Sequence, residues 1–228
     1  MTAAPRKACL TWLMFAVAAV FGAVLVGPYL LLDISSSRVD VSSKAHYALL
    51  VGHIFTACVA LVLGPLQFVP AIRARRAVHR RIGRLYLFAG VLPSSVAAVP
   101  VALLSEHLLT RIGLSIPAVL WLVTGVLAYR AARRHDYVQH RNWMMRNYAL
   151  TFLAVTSRVL VPLMLLSTLP FTTSGPIAGK AQSLTALGQA TGWIINLVLA
   201  ETLIRRGRTG GNATRPAPGA QRTQERAG

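Results

Sequence analysis

Acid is scarce in this sequence. Its 228 residues include 6 Asp and Glu against 24 Lys and Arg, and charged residues make up 13% of the chain, against roughly 25% in soluble domains. So few carboxylates argue against a hydrolase built on a carboxylate pair. Cysteine is scarcer still. Cys9 and Cys58 fall at different depths of different apolar segments, so neither a disulfide nor a thiolate metal site is expected. The chain also has no H-E-x-x-H, G-x-S-x-G, Walker or C-x-x-C motif, which removes the usual marks of zinc proteases, serine hydrolases, nucleotide-binding loops and dithiol redox centres. His135, Asp136 and His140 stand close in sequence, but the arginines around them would repel a cation, and no metal site is expected there.

Apolar length is abundant. Hydrophobic residues are 54% of the chain and the mean hydropathy is +0.54. Six stretches, about 9–32, 45–70, 83–104, 110–131, 147–170 and 183–204, each reach the ~20 residues that a helix needs to cross a ~30 Å hydrocarbon core. The expected fold is therefore all-α, a polytopic transmembrane bundle of six helices. The first stretch follows Arg6 and Lys7 like a signal peptide. Its apolar run is longer than a signal core and no A-x-A site follows closely, so it is expected to stay attached.

The net charge of +18 could signal nucleic acid, anionic lipid or orientation, and its distribution decides. Nineteen of the 24 cationic residues fall on one side of the six stretches: Arg6 and Lys7, six arginines over 73–84, five over 130–146 and six from Arg205 onward. Arg38, Lys44, Arg111 and Lys180 fall on the other, and Arg158 lies within a span. The positive-inside rule then puts both termini in the cytoplasm, as in a multi-pass protein of the cell inner membrane. Anionic headgroups at the cytoplasmic face become the expected partners. Nucleic acid does not, because the arginines flank spans instead of forming a basic module interleaved with aromatics. Oligomeric state is not legible.

Residues 1–8 read as a basic cytoplasmic arm, 9–204 as the transmembrane domain, and 205–228, rich in Gly, Pro, Arg and Gln, as a disordered cytoplasmic tail. Five of the six stretches carry proline: Pro28, Pro65, Pro93 with Pro100, Pro117 and Pro162. Each removes a backbone hydrogen bond, so bent or locally unwound helices are expected. The sixth has Gly188 and Gly192, a spacing that lets helices approach closely.

One pattern occurs twice. HRRIGRLY (His79–Tyr86) and HRNWMMRNY (His140–Tyr148) each precede an outward-going apolar stretch, the third and the fifth. A weak internal two-helix repeat follows, parallel about the membrane normal because both copies share a side. At its simplest the pattern is an inner-interface clamp. Arg80, Arg84, Arg141 and Arg146 would contact phosphates or the acids Glu201 and Asp136, while Tyr86, Trp143 and Tyr148 would anchor in the headgroups. Glu201 is best read as an ion-pair partner of Arg73, Arg84 or Arg146. Together with GPLQF (Gly64–Phe68), Arg73, the continuation HRNWMMRNYALTF (His140–Phe152) and Arg158, the pattern resembles the bacterial membrane-protein family catalogued as domain of unknown function 2306. The resemblance spans roughly residues 45–165. It implies a polytopic inner-membrane protein and brings no established activity.

Two functional readings remain. Helical rise puts Arg158 and His53 at nearly equal depth, about 16 and 12 Å from the outer side. A guanidinium there costs at least ~2.5 kcal/mol on insertion scales, so it should face the bundle interior. The nearest outer acids, Asp33, Asp40 and Glu106, are in loops, and the mid-helix polar residues at that level are Gln189 and Asn196. In the first reading His53, Arg158 and Gln189 bind an anion or a lipid in a transporter-like site. In the alternative the chain is a redox protein holding b-type haem or meeting quinone, with His79 and His140 as axial ligands from different helices. Against both stands a structural role, with Arg158 snorkelling and His53 bonded between helices.

Overall fold

Long apolar runs must satisfy their own backbone in lipid, and helices do this within one segment. The computed structural model describes residues 3–34, 37, 41, 43–105, 108–168 and 177–213, with side chains over 9–34, 37, 41, 43–105, 108–167 and 184–207. Among these residues every regular element is helical. Asp40, Glu106 and the tail from residue 214 lie outside the described residues.

The elements are α1 (Ala3–Val26), a 3-10 turn (Gly27–Tyr29), α2 (Lys44–Leu66), α3 (Pro70–Ala74), α4 (Arg76–Arg84), a π-helical segment (Leu85–Val91), α5 (Leu92–Leu103), α6 (Leu108–Arg133), α7 (Tyr137–Thr151), α8 (Leu153–Thr168) and α9 (Ile177–Ala213). By length and composition, Cys9–Tyr29, Lys44–Leu66, Arg76–Leu103, Leu108–Arg133 and Leu184–Gly207 can each cross a membrane, and α7 with α8 forms a sixth span bent by 43°. Six crossings are thus accounted for, with two boundaries moved. The fifth begins ten residues earlier than its apolar run, at Tyr137, and α9 continues through Ala213, into the segment expected to be disordered. α1 packs on α2, α2 on α5, α5 on α6, α6 on α7 and α9, and α8 on α9.

Local chemistry explains the departures from straight α-helix. The ring of Pro93 cannot donate a hydrogen bond and would clash with the carbonyl four residues back. The turns before it widen, and Leu92 N–H donates to Leu87 O, five residues earlier. The bend at Phe152 has no proline beside it. There Thr156 Oγ1 bonds back to Phe152 O at 3.2 Å and Thr151 Oγ1 to Asn147 O at 3.1 Å, while Asn196 of α9 donates Nδ2 to Ala149 O at 3.0 Å. Threonine back-bonding and an inserted amide are recognised causes of helix bending. Asn196 is therefore a brace for the bend, and its Oδ1 also accepts from Thr156 Oγ1 at 2.9 Å.

At the arginine-rich end the packing is close. Gly64 lies flat under the ring of Tyr148, which leaves no room for a Cβ, and a Cβ on Gly90 would stand 2.9 Å from the backbone nitrogen of Ala60. The α6–α7 corner is equally tight. His135 takes φ 61°, Asp136 N–H donates to Ala131 O at 3.0 Å, and the Asp136 carboxylate accepts from Gln139 N–H at 3.0 Å. A left-handed residue with such a six-to-one bond ends a helix, and an Asp cap starts the next. Asp136 is thereby used as a cap. Gly188 meets Val161 and Gly192 meets Leu153, so the small-residue spacing of α9 serves the α8–α9 contact.

Candidate ligand cavity and its polar floor

The opposite half of the bundle encloses a cavity of about 350 Å³, to which every spanning segment contributes. Two features open it. The bend carries α8 off the line of α7, and the wall is made of small side chains such as Ala57, Ala98, Ala102, Ala118 and Ala154. The volume lies within the usual range for small-molecule sites, ~300–1,000 Å³, and a mostly apolar wall with a few polar groups is their usual character.

His53, Arg158 and Gln189 all line this cavity; chain positions far apart in sequence are brought to one space. His53 on α2 is fixed by Ser94 of α5. Ser94 O lies 3.0 Å and Ser94 Oγ 2.9 Å from His53 Nδ1, and Ser94 Oγ donates to His53 O at 3.0 Å. A carbonyl only accepts, so Nδ1 carries the proton in this bond. Gln189 on α9 has its Oε1 buried with no hydrogen-bond partner among the described residues. Arg158 departs from the inward placement expected of it. It is exposed, reaches the cavity from its edge, and donates Nη1 to Ala154 O at 2.9 Å. Ser157, one residue earlier, is buried in the wall.

Below lies a polar floor that sequence reasoning missed. Trp121 of α6 and Thr151 of α7 line the cavity, and Trp121 Nε1 donates to Thr151 Oγ1 at 2.9 Å. Thr151 Oγ1 is in turn 3.1 Å from the Tyr86 hydroxyl, which donates to Asn147 Oδ1 at 2.5 Å. Asn147 Nδ2 donates to Trp121 O at 2.7 Å and Thr124 Oγ1 at 2.9 Å. Asn147 and Tyr86 are both 0% exposed, and both N–H donors and the carbonyl oxygen of the Asn147 amide are bonded. The available signal was positional: a tryptophan at mid-span instead of an interface, and an asparagine within an apolar run.

The repeated pattern therefore does not act as an interface clamp throughout. Tyr86 and Tyr148, expected in the headgroups, are buried; Tyr148 donates to Leu61 O at 3.2 Å. A phenol whose hydroxyl finds a partner on another helix can leave the interface. The arginines behave more as anticipated. Arg80, Arg84 and Arg141 are exposed, while Arg146 pairs with Glu201 (Nη2 to Oε2, 2.7 Å) and lies 4.8 Å over the ring of Trp143.

His79 and His140 come near enough to interact electrostatically, away from the cavity, which neither lines. His140 Nδ1 donates to Ala128 O at 2.9 Å, and His79 Nδ1 is buried with no hydrogen-bond partner among the described residues.

A helical bundle crossing the membrane five to six times, with an interior cavity walled among the described residues by one cation, one imidazole and one side-chain amide, defines a polytopic integral membrane protein with a ligand-sized internal space. The profile of the family described as "Predicted membrane protein (DUF2306)" matches residues 50–204. The chain belongs to that family. Nothing matches it among the curated proteins or among the solved structures.

Proposed function

We propose that this protein binds an acidic amphiphile inside its bundle, as a transporter-like or lipid-binding membrane protein. One observation carries the proposal: His53, Arg158 and Gln189, from three helices, line a single cavity whose remaining wall is largely apolar. An alkyl chain gains ~0.8 kcal/mol for each methylene buried, and a guanidinium at the rim supplies the charge that a carboxylate or phosphate needs. In this reading both termini are cytoplasmic, the protein resides in the cell inner membrane, and the exposed arginines contact anionic headgroups.

Calorimetric titration of decanoate into nanodiscs holding the full chain, corrected with empty nanodiscs, tests the reading. Arg158→Leu should lower affinity at least tenfold, since a charge-assisted hydrogen bond contributes ~1.5–3 kcal/mol, while the unfolding temperature stays within a few degrees. Unchanged affinity would remove Arg158 from the site.

The proximity of His79 and His140 supports a second reading, b-type haem or quinone redox chemistry. The bond from His140 Nδ1 to Ala128 O is the kind that fixes a ligating imidazole. Yet among the described residues His53 is the one histidine that lines the cavity, and the amphiphile reading ranks first. Oxidised and reduced absorption spectra of protein purified from haem-replete cells decide: a colourless folded preparation ends the haem version.

A further inference from the structure

The cavity asks for more than an anion. In the neutral form of His53, Nδ1 holds the proton because Ser94 O accepts it, so Nε2 is a bare acceptor. Gln189 Oε1 is likewise an acceptor, buried and without a hydrogen-bond partner among the described residues. Two acceptors and one cation thus line the same space. A simple fatty carboxylate could satisfy Arg158 but offers neither acceptor a proton. Left in an apolar wall, an unmet amide oxygen costs ~1–3 kcal/mol.

Other polar groups of the wall do not relieve this. Thr151 already receives Trp121 Nε1 and donates to Asn147 O. Among the described residues that line the cavity none is Asp or Glu, and the cation there is Arg158, which donates Nη1 to Ala154 O of the wall.

We infer that the preferred ligand is an amphiphile whose head pairs an anionic group with a neighbouring O–H or N–H donor, as in hydroxy acids and N-acylated amino acids, the anion meeting Arg158 and the donor meeting Gln189 Oε1. This rests on the amphiphile reading above and specifies the head group within it. The second polar group also gives the site a means of discrimination, because a pocket built around a donor rejects the analogue that lacks one.

The test compares decanoate with 3-hydroxydecanoate, which differ by one hydroxyl, in calorimetric titrations of the nanodisc-embedded full chain. Wild-type protein should bind the hydroxy acid roughly three- to tenfold more tightly, the range of one neutral hydrogen bond. Gln189→Met, which keeps length and removes the acceptor, should bring the two acids to within about twofold, and Arg158→Leu should weaken both. Equal wild-type affinities, with both acids lost in Arg158→Leu, would overturn the donor inference and leave the amphiphile reading intact. Binding of neither acid to wild-type protein would overturn both. A hydroxyl preference that survives in Gln189→Met would overturn the role given to Gln189. The wild-type comparison needs no variant, so misfolding of one cannot obscure the answer.

Discussion

Replacing Tyr86 with Phe removes one oxygen atom from the best-enclosed polar contact in the bundle. The hydroxyl donates to Asn147 Oδ1 at 2.5 Å, and both residues are 0% exposed. Thr151 Oγ1, the other neighbour of that hydroxyl, keeps the Trp121 indole as donor and Asn147 O as acceptor, so only Asn147 Oδ1 is orphaned. A buried unmet acceptor costs ~1–3 kcal/mol in water-soluble cores, whereas interhelical hydrogen bonds in membranes average ~0.6 with a maximum of ~1.7 kcal/mol. The expected loss is therefore about 1–2 kcal/mol. Asn147→Leu removes the acceptor itself, so Tyr86→Phe should cost little in that background. Reversible unfolding in mixed micelles, run on the wild type, both single variants and the double variant, should give a coupling of at least ~0.5 kcal/mol, outside the ~0.3–0.5 kcal/mol scatter of independent sites. Additive effects would refute the floor as a connected network.

Glycine replacements should separate packing from propensity. Gly64→Ala and Gly90→Ala place a methyl into the Tyr148 ring or against the Ala60 backbone and should each cost ~1–3 kcal/mol, while Gly52→Ala, on an exposed face of α2 with nothing within 4 Å, should stabilise by up to about 1 kcal/mol, all read from the same unfolding assay. Glu201→Gln should lower stability by less than about 1 kcal/mol, because the side chains of Arg146 and Glu201 are 22% and 34% exposed and half-wet ion pairs contribute little; a larger loss would mean a buried role for the pair. Fluorescent-protein fusions at residue 134 should light up, and alkaline phosphatase fusions there should stay inactive; the reverse pattern would invert the topology.

Hydropathy made the crossings legible, since apolar length is a one-dimensional property that lipid enforces residue by residue. Depth counting was enough to group His53 with Arg158 and Gln189, and charge was enough to give Glu201 an arginine partner, while the choice of Arg146 over Arg73 and Arg84 needed the packing of α7 on α9. Tyr86 shows where such reading stops. A tyrosine beside an arginine at a helix foot looks the same in sequence whether it anchors in headgroups or turns inward, and its acceptor lies 61 residues away on Asn147. The start of α7 was missed for a related reason. His140, Arg141, Asn142 and Arg146 lower the hydropathy of a segment whose Asn142, Asn147 and Thr151 are nonetheless buried, and for Asn147 and Thr151 the neighbouring α6 supplies partners that water would otherwise provide. The bend at Phe152 combines the back-bonds of Thr151 and Thr156 with an amide from Asn196, forty-four residues further on, and threonines alone do not announce it.

Beyond that bend α8 runs for 16 residues, a rod of about 24 Å at ordinary helical rise. Anchored near one end by Asn196 and tilted 43° from α7, it is also held along its length where Gly188 and Gly192 of α9 meet Val161 and Leu153. Arg158 lies less than halfway along that rod, so the angle set at Phe152 decides where its guanidinium meets the rim of the cavity.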